Sequence, residues 1–268
     1  MYRSRPAPPP TAHSRPASWS TPFIFSVRQL STGPPCSERK NSPLPDTEPG
    51  KMRAAMTLHP VILPLTPEEQ HLRGRARLQA QSQRSREALA LSCEASGVSL
   101  GPLEKGDRNA PLPFHGTFWS ISHKSRFVAA VVGPAPIGID IEEITPRTDG
   151  LPDHIAAQDE WALADRRWET FFRFWTAKEA VLKAAGVGLA DLKKARIHAI
   201  SDADNLIVDY ASKRWTVRHF RFQNHIVSLT HDGHEIAWTL VLEPHALDDP
   251  EPVPPQPQAY KQQHSQPG

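Results

Sequence analysis

Two short stretches constrain this chain more than the rest of it does. Ile137-Gly138-Ile139-Asp140-Ile141-Glu142 alternates apolar and acidic residues with period two, the spacing of a strand that carries both acids on one face. About forty residues on, Trp175-Thr176-Ala177-Lys178-Glu179-Ala180-Val181-Leu182-Lys183 sets Trp175, Glu179 and Lys183 at four-residue steps along one face of a helix. A chain that holds both must lay helix against sheet, so α+β is the expected class. If the two stretches meet, three carboxylates and two ammonium groups share one location, which suits a divalent cation and a polyphosphate.

Proline marks where such a fold can lie. Eleven of the 28 prolines fall in residues 1–50 and six in 246–268, and neither end has an apolar period that could bury a face. Both ends are expected to be disordered, as a Pro/Arg/Ser-rich leader over 1–56 and a Pro/Gln-rich tail over 246–268. Residues 1–37 contain no Asp or Glu but do contain Arg3, Arg5, Arg15 and Arg28. Such a start reads as a dispensable leader ahead of a working start at Met52 or Met56, as an organellar targeting segment, or as a functional tail. The folded part is expected over 57–245, as an N-terminal half (57–135) and a C-terminal half (136–245). A formal charge of +2 gives no global basic field, so nucleic acid is not an expected partner. No apolar run reaches the ~20 residues of a membrane span, and the membrane is not expected either. Cys36 and Cys93 are too few for a disulfide framework, which points to a reducing, cytoplasmic setting.

Thr66-Pro67-Glu68-Glu69 has the marks of a helix start: a capping hydroxyl, proline in the first turn, and acids facing the dipole. That helix is expected to run to about residue 95, with a break at Gly74 and a stop at Gly97. The Gly- and Pro-rich stretch 98–117 reads as a loop. Strands over 118–122 and 127–132 are expected to pair as a hairpin with His123 in its turn, followed by a third strand over 137–144. Helices are expected over 153–167 and 170–185, the second closed by Gly186. Strands should follow over 195–200, 206–210, 215–220, 226–230 and 235–242. Ser120-Ile121-Ser122-His123, ahead of an apolar strand, is echoed by Ser228-Leu229-Thr230-His231 ahead of another. The echo predicts two pseudo-symmetric halves meeting near Asp140, each a helix packed on a small antiparallel sheet; a chance likeness between hairpins is the plainer reading.

Asp140 and Glu142, flanked by isoleucines, are costly on a buried face unless something positive compensates them. A metal ion would do so, and hard oxygen ligands without a His or Cys cluster favour Mg²⁺. A lysine or arginine partner would do so too, and an edge strand would leave both acids solvated. Glu179 and Lys183 on their own make an ordinary i, i+4 ion pair. The apolar run Phe171-Phe172-Arg173-Phe174-Trp175 just upstream, however, puts Lys178, Glu179 and Lys183 at the rim of a buried element. Ser122 and His123 are either solvated turn residues or donors to a phosphate, through hydroxyl, ring N–H and backbone amides.

In this order, Ser120-Ile121-Ser122-His123, the strand 137–142 and the helix 175–183, with Gly186-Val187-Gly188-Leu189 behind them, resemble the S-I-S-H, I-G-I-D-I-E and W-x-x-K-E-A-x-x-K motifs of the 4′-phosphopantetheinyl transferases of the surfactin-synthetase-activating (Sfp) type. The resemblance covers about residues 80–190 and extends more loosely to 245. It implies the two-half fold of that family and a monomeric enzyme. The implied reaction is Mg²⁺-dependent transfer of the phosphopantetheine arm of coenzyme A to a serine of an apo-carrier protein (acyl, peptidyl or aryl), releasing adenosine 3′,5′-bisphosphate. By motif, Asp140, Glu142 and Glu179 would ligate Mg²⁺, and Ser122 and His123 would hold the 3′-phosphate. Lys178 and Lys183 would neutralise phosphate charge, with Lys183 steadying the leaving phosphate and Glu179 accepting the serine proton. The stretch 104–111 departs from the family's usual adenine-seating segment, and Arg84, Arg86 and Arg108 are candidates for the missing basic contacts. The smaller, trimeric holo-acyl-carrier-protein synthase type shares the last two motifs, but chain length and the S-I-S-H turn favour the two-half form. The alternative from another class is a non-catalytic relative that binds carrier protein or coenzyme A.

Overall fold

Strands β1 (Thr57–Leu58) and β2 (Val61–Pro64) come first in the computed structural model, which describes residues 56–106, 109–147 and 151–242. The expected disordered leader, Met56 excepted, and the tail lie outside the described residues. β2 is buried along its whole length between two neighbouring strands, and the sequence reading missed it because Pro60 and Pro64 bracket so short a run. Thr66 caps α1 (Pro67–His71): its hydroxyl accepts the Glu69 N–H at 3.3 Å, and Glu69 Oε2 accepts the Thr66 N–H at 2.8 Å. α2 (Gly74–Ser96) begins at the expected break and stops at Gly97, whose φ of +65° suits glycine.

β3 (Phe118–Lys124) and β4 (Phe127–Gly133) form a longer hairpin than expected. His123 is therefore a strand residue opposite Val128, and the turn falls on Ser125 and Arg126. β5 (Ile139–Glu143) follows. The single helix expected over 153–167 is two short pieces, α3 (Pro152–Ile155) and α4 (Gln158–Trp161), with Ala156 extended between them. Glu160 explains the bend: its carboxylate accepts the Ala157 N–H at 2.9 Å and the Ile197 N–H at 2.7 Å, so the chain wraps around it. α5 (Trp168–Ala184) is the long helix expected, closed by Gly186 at φ +69°. Then come β6 (Arg196–Ile200), β7 (Asn205–Tyr210), β8 (Lys213–Phe222), β9 (His225–Thr230), β10 (Glu235–Ile236) and β11 (Thr239–Leu240).

One sheet has the order β11-β2-β4-β3, a second β5-β9-β8-β7-β6, and β1 pairs with β10. The order β2-β4-β3, with α2 between β2 and β3 in sequence, recurs as β5-β9-β8, with α5 between β5 and β8. The serine–histidine echo does not relate these units, because 120–123 lies on β3 whereas 228–231 ends β9, the counterpart of β4. Nor does the last segment make the expected hairpin with β9. Both edges of β9 are taken by β5 and β8, so the chain crosses over, and β10 and β11 pair in parallel with β1 and β2.

Alternation sorts the apolar residues into three cores. Val128, Ala130 and Val132 of β4 face Ala88 and Leu89 of α2. Ala129 and Val131 face Ile139, Ile141, Val227 and Leu229 between the two sheets. Phe171, Phe174 and Val181 of α5 cover Leu206, Val208 and Val217 on the far side of the second sheet. The layers therefore run α2, sheet, sheet, α5. Period two in β5 sends Ile139 and Ile141 between the sheets and turns Asp140 and Glu142 toward α5.

Candidate active site

Gly138 governs how near α5 comes to β5. A Cβ there would lie 1.8 Å from the Ala180 carbonyl oxygen and 2.8 Å from the Ala184 nitrogen, both backbone atoms. Only glycine allows that approach, and the approach sets Glu179 and Lys183 over the acid face of β5.

Asp140 lies at the centre of the cluster, 3% exposed. Lys183 Nζ stands 2.6 Å from its Oδ1, and the Ser122 hydroxyl donates to the same oxygen at 2.8 Å. Lys183 also donates to Ser122 Oγ at 3.0 Å and to the Ile139 carbonyl at 3.1 Å. Ser122 reaches this point from the other sheet, because β3 runs beside the edge of β5 that β9 leaves open. Along that edge Ser120 Oγ accepts the Ile139 N–H at 3.1 Å and Ser122 Oγ accepts the Ile141 N–H at 3.4 Å. Side-chain hydroxyls thus serve amides that no strand pairs. Asp140 Oδ2 is buried and has no hydrogen-bond partner among the described residues.

Glu142 Oε2 lies 2.8 Å from Lys124 Nζ. Burial raises the Glu142 pKa, the Asp140 charge adds to the rise, and Lys124 opposes it. Glu179 is pushed further, to about 8, first by burial and then by the charge on Asp140; Glu142 adds to this, while Lys183 and Lys124 work against it. No donor among the described residues hydrogen-bonds the Glu179 carboxylate. His123 is exposed on β3, yet enough protein surrounds its ring that desolvation, and then Lys183, hold its pKa below the ordinary value.

Lys178 is not brought to this cluster. It is 0% exposed, with Nζ 2.7 Å from Glu160 Oε1 and donating to the Ile155 carbonyl at 2.6 Å. Neighbouring helix residues lie about 100° apart around the axis, so Lys178 and Glu179 face different surroundings. Burial lowers the Lys178 pKa, and Glu160 opposes that shift.

Sequence reading missed two charged residues here. Lys124 follows Ser122 by two positions on the same face of β3, a signal available once the strand is carried through residue 124. Glu160 left little local signal, since its partners apart from the Ala157 N–H come from α5 and β6. Of the basic residues expected near 104–111, Arg84 is engaged by Glu69 and Glu87, Arg86 is exposed on α2, and Arg108 lies outside the described residues. Gly97-Val98-Ser99-Leu100-Gly101 has the spacing of a nucleophile elbow, but it follows a helix instead of a strand, so Ser99 lacks that context.

Among the described residues no group of three His, Cys, Asp or Glu side chains is placed to grip a metal ion. Lys183 and Lys124 hold Asp140 and Glu142 instead. The donor set still fits a hard cation: three carboxylates, of which Asp140 Oδ2 and Glu142 Oε2 are buried without a hydrogen bond among the described residues, and Glu179 is raised to about 8 with its acidic neighbours among the causes.

Comparison with known proteins bears on the segment that carries this arrangement. The model of the 4′-phosphopantetheinyl transferase superfamily matches residues 136–239, a span that includes β5 and α5. A 4′-phosphopantetheinyl transferase of Bacillus subtilis is 32% identical over 113 residues, which is 40% of this chain and 50% of the relative. The 4′-phosphopantetheinyl transferase HetI of Nostoc sp. is 34% identical over 100 residues, 34% of this chain and 41% of that protein. The 4′-phosphopantetheinyl transferase Sfp of Bacillus subtilis (strain 168) is 32% identical over 88 residues, 30% of this chain and 39% of that protein. The chain spans half or less of the length of these relatives. Through the segment that carries Asp140, Glu142, Glu179 and Lys183, the chain is similar to the 4′-phosphopantetheinyl transferase superfamily, Sfp among its relatives.

Proposed function

We propose that this chain is a Mg²⁺-dependent 4′-phosphopantetheinyl transferase. It moves the phosphopantetheine arm of coenzyme A onto a serine hydroxyl of an apo-carrier protein and releases adenosine 3′,5′-bisphosphate. The observation that carries the reading is Asp140, a buried carboxylate whose Oδ2 has no hydrogen-bond partner among the described residues, while Glu142 and Glu179 crowd the same face. A repeated strand order around one helix per unit is what a monomeric, two-half transferase would have.

Asp140, Glu142 and Glu179 would hold Mg²⁺, which supplies positive charge against a diphosphate that is otherwise a poor electrophile. The serine oxygen forms a bond to the phosphorus that bears the pantetheine arm, and the bond from that phosphorus to the bridging oxygen breaks. Glu179, without a hydrogen bond among the described residues, would accept the serine proton. Lys183 would balance the charge gathering on the leaving phosphate. Ser122 and His123 on β3 would hold the 3′-phosphate. Lys178 would take part only by leaving Glu160.

The test is the intact mass of apo-carrier proteins of the acyl, peptidyl and aryl kinds after incubation with this chain, coenzyme A and Mg²⁺. A gain of about 340 Da that EDTA abolishes is the expected result. Coenzyme A binding with no gain on any carrier would favour the non-catalytic alternative.

A further inference from the structure

One strand edge delivers two different groups to two acids. Along β3, Ser122 meets Asp140, and two residues later Lys124 meets Glu142 with Nζ 2.8 Å from Oε2. From α5, Lys183 meets Asp140 at 2.6 Å. Asp140 and Glu142 are thus each held by a lysine, but the two lysines are fixed differently. Lys183 is anchored beside Asp140 by Ser122 Oγ and the Ile139 carbonyl. Lys124 has no second anchor among the described residues, and its side chain is 31% exposed at the rim of the site while that of Glu142 is 13% exposed. The lysine can therefore swing into water, whereas the carboxylate cannot follow it.

We propose that Lys124 is a displaceable counter-cation for Glu142. It holds that carboxylate in place when no metal is bound and yields it to a divalent cation. The proposal rests on reading Asp140, Glu142 and Glu179 as a cation site. An ammonium group and a metal ion compete for the same oxygen, so Lys124 sets the affinity for the cation and is a positioning residue, not a catalytic one.

The test titrates the full chain with Mn²⁺ alone, without coenzyme A, and follows the free-ion electron paramagnetic resonance signal. Lys124→Met should bind Mn²⁺ about 3- to 10-fold more tightly than the parent, as expected for removal of a partly exposed competing charge. Lys124→Arg, which keeps the charge, should bind as the parent does. Glu142→Gln and the double variant Lys124→Met/Glu142→Gln should bind alike, because the contested carboxylate is gone from both. Unchanged or weaker binding by Lys124→Met, with the parent binding Mn²⁺, overturns the role of Lys124 and leaves the cation site standing. Absence of Mn²⁺ binding in both parent and Lys124→Met overturns the proposal and the cation site together.

Discussion

A methyl group at residue 138 has no room, since its carbon would sit 1.8 Å from the Ala180 oxygen and neither backbone can yield without the other. Gly138→Ala should therefore push α5 away from β5 and lower stability in urea by about 1–3 kcal/mol, the range for overpacked cores. Because α5 carries Glu179 and Lys183, carrier modification should fall further than stability does. A fully active and stable Gly138→Ala variant would show that the close approach is dispensable. Asp140→Asn keeps the size of the side chain and an acceptor oxygen but removes the charge that Lys183 balances. It should lower carrier modification by on the order of 10²-fold or more, read by intact mass, with the circular dichroism spectrum unchanged. Native turnover in that variant would sink the cation-site reading.

At the scale of elements, Lys178 and Glu160 tie α5 to α4 and β6. Glu160 is 2% exposed, accepts from Lys178, Ala157 and Ile197, and is ion-paired with Arg196 at 3.3 Å. Removing one member of a buried pair costs about 3–5 kcal/mol, and the donors that remain to Glu160 place Lys178→Met at the low end. Adding Glu160→Gln to Lys178→Met should restore part of the loss, because the uncompensated charge is gone. Urea unfolding of the single and double variants checks this. If Lys178→Met instead keeps native stability and loses coenzyme A binding, Lys178 leaves Glu160 when the substrate binds. The same pair explains why the sequence reading succeeded at α2 and α5 and failed at α3 and α4. Thr66, Gly97 and Gly186 act on neighbours within a turn or two of themselves. The bend at Ala156 answers to Lys178 and Ile197, which lie far along the chain.

Across the whole molecule, the seam between the two sheets holds a histidine with unusual surroundings. His225 of β9 is 1% exposed, stacks on Phe222, meets the edge of Phe127 from the other sheet, and has no hydrogen-bond partner at either ring nitrogen among the described residues. Burial pushes its pKa down from 6.5 to about 4; Glu143 opposes the shift and Arg126 adds to it. The fold thus favours the neutral ring. The stability this supplies is complete above about pH 6.5, shrinks as pH falls and the unfolded chain takes up a proton, and levels off near pH 4. The bound on the effect is about 3 kcal/mol. His225→Phe loses no hydrogen bond, so its stability should match the native chain at pH 7 and fall less between pH 7 and 4. Parallel decline of the two proteins in urea titrations would show that His225 does not drive acid unfolding. His219, wholly buried and held well below the usual histidine value chiefly by desolvation, should keep part of the acid sensitivity in either protein.

By itself the sequence determined the acid-bearing strand, the helix of Glu179 and Lys183, the Thr66 cap that starts α1, and the glycines that stop α2 and α5. Each follows from side-chain spacing or a backbone preference that reaches only a few residues. Tertiary structure alone decided what Ser120, Ser122 and Lys124 touch, where Lys178 goes, and which sheet receives 235–240. The reason is that these depend on what remains unsatisfied once the sheets have formed. β5 has an open edge for serine hydroxyls to serve, Glu160 is a buried charge in need of a cation, and β9 has no edge left for the last strands.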